Sequence, residues 1–132
     1  MRSVLIVHGD THILTALTEM LHVVLEELHL VPTEILIATS LGEAERKAFE
    51  HRPALILFDN GLVASTGYKQ VPLLDLKTAV KILLAKNSVN KKGGMKVKGQ
   101  CIDSVLAKPV EREQLKEAVR RHLSRSKLKS MD

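Results

Sequence analysis

The run Ala54-Leu55-Ile56-Leu57-Phe58 follows Pro53 and closes on Asp59-Asn60-Gly61. An apolar stretch of that length, bounded by proline and an Asn-Gly turn, is too short for a helix and reads as a strand buried on both faces. Such strands belong to parallel sheets wrapped by helices. In open sheets of that kind ligands bind in the crevice beyond the carboxyl ends of the strands, so Asp59 stands where a site is expected.

The rest of the chain repeats the theme. Ser3-Val4-Leu5-Ile6-Val7 is a second apolar strand, followed by the loop His8-Gly9-Asp10-Thr11. From Asp10 to about Leu28, apolar residues at Ile13, Leu14, Leu17, Met20, Leu21, Val24, Leu25 and Leu28 keep the three-and-four spacing of an amphipathic helix, with Asp10 or Thr11 as N-cap. Pro32 interrupts the pattern, and Glu34 to Thr39 is β-branched enough for a strand. Ser40 and Glu43 form a capping box that opens a helix through about His51, with Leu41, Ala44, Ala48 and Phe49 turned toward the sheet. After Asp59 a loop is expected over residues 61–67, then a helix from about Tyr68 to Lys77, which Pro72 either limits to the first turn or displaces at its start. Val80 to Ala85 and Ser104 to Ala107 supply two further strands, the last ending in Lys108-Pro109. Between them Gly93, Gly94 and Gly99 predict a short, irregular helix. Leu115, Ala118, Val119 and Leu123 mark a final helix, and the basic tail 124–132 is expected to fray beyond a domain of residues 1–123.

Strands joined through helical connections predict an α/β fold: a five-stranded, doubly wound parallel sheet with right-handed crossovers and helices on both faces. The 132 residues suffice for one such domain. No apolar run is long enough to cross a bilayer, and Met1-Arg2-Ser3 leads into a strand rather than a signal sequence, so a cytoplasmic location is expected. The single cysteine, Cys101, excludes an internal disulfide and a cysteine-rich zinc site. The net charge of +5 collects at Lys91, Lys92, Lys96 and Lys98, and at Arg120, Arg121, Arg125, Lys127 and Lys129. With aromatics at 2% there is nothing to stack bases on, and nucleic acid is disfavoured as a partner.

Three strand ends carry groups that can converge: Asp10, Asp59 and Lys108. A hard cation such as Mg2+ takes carboxylate and carbonyl oxygens, a lysine offers a point charge to a phosphoryl oxygen, and a carboxylate can itself become an aspartyl phosphate. The dull reading of each is a strand-end carboxylate capping the Asn60-Gly61 turn, a solvated lysine and a helix cap. His8 has two readings as well, a structural histidine, which is favoured, or a weak metal ligand or pH-sensitive group.

At Val4-Leu5-Ile6-Val7 before Asp10, at residues 53–59, and at residues 101–109 ending in Lys108-Pro109, the chain resembles the receiver domain of two-component response regulators. The resemblance spans nearly all of residues 3–123 and implies a flavodoxin-like receiver fold. It also implies Asp59 as the phosphate acceptor, Lys108 as the lysine that contacts the phosphoryl group, and Mg2+ held by Asp10, Asp59 and the carbonyl of Asn60. The implied partners are a histidine kinase or phosphotransfer protein and a downstream protein, with a homodimer left open. Such a domain is no enzyme beyond its own phosphorylation. The departures are specific. His8-Gly9 stands where the family carries adjacent acids, Ala85 where it has a hydroxyl, Val105 where it has an aromatic, and no proline follows Asp59 within a few residues. That pattern resembles an atypical receiver, and it opens the alternative of a phosphorylation-independent interaction module.

Overall fold

The alternation of short apolar runs with amphipathic segments produces the expected layers. The computed structural model describes residues 2–30, 32–67, 79–86 and 102–131. In chain order these form β1 (Arg2–Val7), α1 (Thr11–Glu27), β2 (Thr33–Ala38), α2 (Leu41–His51), β3 (Leu55–Asp59), α3 (Asn60–Thr66), β4 (Val80–Lys86), β5 (Ser104–Lys108) and α4 (Arg112–Met131). The five strands form one parallel sheet in the order β2-β1-β3-β4-β5.

Because side chains alternate across a strand, each strand feeds two cores. Val4, Ile6, Leu55, Leu57, Ile82 and Leu84 face α1 and α4, meeting Leu14, Leu21, Val24, Leu115 and Val119. Leu5, Val7, Ile56, Phe58 and Leu83 face the opposite way, toward Ala44 and Ala48 of α2 and Val63 of α3. Burial on both faces is why these strands read as continuous apolar runs.

The caps follow the sequence. Asp10 Oδ1 accepts from the amides of His12 and Ile13 at 2.9 and 3.3 Å. Ser40 Oγ accepts from Glu43 N–H at 3.2 Å, while the Glu43 carboxylate accepts from Thr39 N–H at 2.9 Å, one residue earlier than a standard capping box requires. Arg52 ends α2 in the left-handed conformation, ahead of Pro53.

Four expectations need correction. The loop expected after Asp59 is the helix α3, which begins directly at Asn60. Phe49, expected inward, is 54% exposed. Ala44 and Ala48 form the contact line of α2, and a residue one position past Ala48 is turned about 100° from it. Ile13 is likewise exposed, in the first turn of α1. Finally, α4 continues to Met131 instead of fraying after Leu123. Residues 124–131 contain no Gly or Pro and are largely good helix formers, so the backbone helix outlasts its burial pattern. The helix expected over residues 68–77 and the irregular segment around the glycines and lysines of 91–99 lie outside the described residues.

Candidate functional site

Register brings the strand ends together. β1 and β3 are neighbours with Val7 opposite Phe58, so the next residues, His8 and Asp59, come out of the sheet side by side. Lys108 ends β5, separated from β3 by β4, and its long side chain crosses that strand to Asp59. Between Leu84, opposite Asp59, and Lys86, opposite Lys108, β4 carries Ala85.

The centre of the site is the Asp59 carboxylate, whose side chain is 12% exposed. Lys108 Nζ donates to Asp59 Oδ1 in a charge-assisted hydrogen bond. On the other side lies His8, whose side chain is 7% exposed and whose Nε2 is 3.7 Å from the same oxygen. That is beyond hydrogen-bond reach, and Nε2 is a buried polar atom with no hydrogen-bond partner among the described residues. His8 Nδ1 accepts from the Asp10 amide at 3.0 Å, so in the neutral ring the proton sits on Nε2 and faces the aspartate. Burial holds the His8 pKa below its ordinary value; the charge of Asp59 opposes this, Lys108 adds to it, and Asp10 opposes it more weakly. Imidazole, not imidazolium, is therefore the form at neutral pH.

Below the carboxylate is Gly61. A Cβ there would come within 3.0 Å of Asp59 Oδ2, so a side chain at this position would crowd the aspartate. The backbone at Gly61 is ordinary helix; the requirement is for space.

The structure thus brings Asp59 and Lys108 together as the sequence predicts. Asp10 is held in another role. The Asp10 side chain is engaged as the cap of α1, and the amides of Ile13 and then His12 lower its pKa. Asn60 opens α3, which commits its carbonyl to that helix. Among the described residues no group of three His, Cys, Asp or Glu side chains is placed to hold a metal ion. A hard divalent cation needs several free oxygens converging on one point. Here one Asp59 oxygen is taken by an ammonium, and the neighbouring position holds an imidazole N–H, a donor. The residues present do not fit Mg2+.

The sequence reading weighed His8 chiefly as a structural histidine and did not place it beside Asp59. The signal was present in the register: the residue after β1 is the one that flanks the residue ending β3. Of the basic residues, Arg120 is spent on Glu117, donating to its two carboxylate oxygens at 2.6 and 2.7 Å, and Arg121 lies 3.7 Å from the same group.

No protein-family model matches this chain, and no curated protein matches it. Solved structures do. A response regulator receiver domain protein from Clostridium thermocellum superposes with a TM-score of 0.73 at 18% identity, over 97% of this chain and 98% of that one. The chain has the receiver-domain fold. The signal receiver domain of a DNA-binding response regulator from Colwellia psychrerythraea gives a TM-score of 0.70 at 15% identity, covering 94% and 99% of the two chains. A response regulator receiver modulated diguanylate cyclase from Pelobacter carbinolicus gives 0.67 at 20% identity over 100% of each. Identities this low speak for the receiver fold and leave the chemistry to the residues at the strand ends.

Proposed function

We propose that this chain is a receiver module of two-component signalling in which Asp59 accepts a phosphoryl group. The observation that carries the reading is the pairing of Lys108 with Asp59 at the carboxyl rim of the sheet. An ammonium beside the attacking carboxylate offsets the negative charge of the oxygens on the incoming group. The donor is a phosphohistidine on a histidine kinase or phosphotransfer protein in the cytoplasm, and output passes through contact with a downstream protein.

The chemistry is one displacement. An Asp59 carboxylate oxygen bonds to phosphorus, the bond from phosphorus to the donor breaks, and its electron pair leaves with the donor group. Lys108 orients the nucleophile and stays bonded to the anion that forms. The preserved acceptor and lysine set this reading ahead of a phosphorylation-independent interaction module, which draws on His8, Gly9, Ala85 and Val105.

The test is intact-mass measurement after incubation with acetyl phosphate. The chain should gain one phosphoryl group, and Asp59→Asn should gain none. Equal labelling of the two proteins would reject Asp59 as the acceptor.

A further inference from the structure

The donor set of the site raises the question of what occupies the place a cation would take. His8 is buried, its Nδ1 is committed to the Asp10 amide, and its Nε2 proton faces Asp59 with no partner among the described residues. Buried donors are nearly always satisfied, because leaving one unmade costs the desolvation of that group. With Nε2 at 3.7 Å, the group lies too far from the resting carboxylate to hydrogen-bond it.

We propose that His8 Nε2–H is an anion-binding donor which, with Lys108, receives the phosphoryl group on Asp59 without a divalent cation. The inference rests on Asp59 being the acceptor and adds how this site holds the group. Catalysis gains from interactions made in the transition state and absent before it, and a donor out of reach of the ground-state carboxylate meets that condition. With acetyl phosphate the balance is complete. One Asp59 oxygen forms the new bond to phosphorus, the anhydride bond from phosphorus to oxygen breaks, and acetate departs with the electron pair. No proton moves; the Nε2–H hydrogen-bonds to a phosphoryl oxygen, and Lys108 supplies the positive charge.

The experiment follows phosphoryl labelling by intact mass over time, with acetyl phosphate in EDTA and in millimolar Mg2+. The expected result is the same rate in both media. His8→Phe, which fills the space but removes the donor, should slow labelling in both by about tenfold or more, the scale of losing one oxyanion donor. His8→Gln, which can keep an N–H there, should retain most of the rate. The double variant His8→Asp with Gly9→Asp should make labelling depend on Mg2+. A Cβ at position 9 would meet only Leu62 Cδ2, at an ordinary 3.6 Å, so that change is sterically open. Thermal melts of each variant separate loss of the donor from loss of the fold. Wild-type labelling in Mg2+ but not in EDTA would overturn this inference and leave Asp59 as acceptor. Labelling of His8→Phe at the wild-type rate would overturn it too. No labelling in either medium would reject the acceptor reading, and this inference with it.

Discussion

At the level of single residues, Asp59 and Lys108 are legible from the sequence because strand ends in parallel sheets are where such groups collect, and both strands are easily recognised. Asp10 is half legible: its capping role follows from its place before an amphipathic segment. His8 was not legible as a donor, since the tautomer is set by the Asp10 amide, a bond no periodicity reveals. Its burial has a consequence for stability. The folded protein holds the His8 pKa below the ordinary 6.5, mainly through burial, whereas unfolding returns it toward that value. Between the two values the unfolded chain binds more protons, so stability rises with pH there. The contribution is present in full above the unfolded pKa and is lost as pH falls below it. Asp59, Lys108 and Asp10 face His8 and are shared by a His8→Gln variant. The melting temperature should therefore fall further in wild type than in His8→Gln on acidification from about pH 7.5 to 5.5. Equal shifts in the two proteins would show that His8 does not titrate differently on folding.

Among the elements, β1, β3 and β4 announced themselves through unbroken apolar runs, and α1 through its stripe. The failures have physical causes. The segment after Asp59 is rich in small and polar residues, and helix formation there comes from packing, with Val63 buried among Phe58, Ala79 and Leu83 rather than from propensity. In α2 the apolar count favoured Phe49, but alanines at 44 and 48 give a close approach to the sheet that excludes a ring. The two sites should respond in opposite ways to mutation. Ala48→Leu overpacks this contact and should destabilise by about 1–3 kcal/mol in urea denaturation. Phe49→Ser, on the exposed side, should stay within about 0.5 kcal/mol. A neutral Ala48→Leu would mean that α2 does not pack as described.

For the molecule as a whole, the doubly wound topology was predictable because alternating strands and helices leave few ways to cover both faces of a sheet. None of the described helices is long and apolar enough to cross a membrane. What sequence spacing could not supply was convergence. Asp59 and Lys108 are 49 residues apart, and their meeting depends on strand order and on the long lysine stem passing across β4. That meeting can be measured as an energy through the single variants Asp59→Asn and Lys108→Met and the double variant, each unfolded in urea. Residues in contact couple by roughly 0.5–3 kcal/mol, whereas distant ones add independently. The arrangement described predicts a coupling of about 1 kcal/mol or more between positions 59 and 108. Strict additivity of the two changes would contradict it.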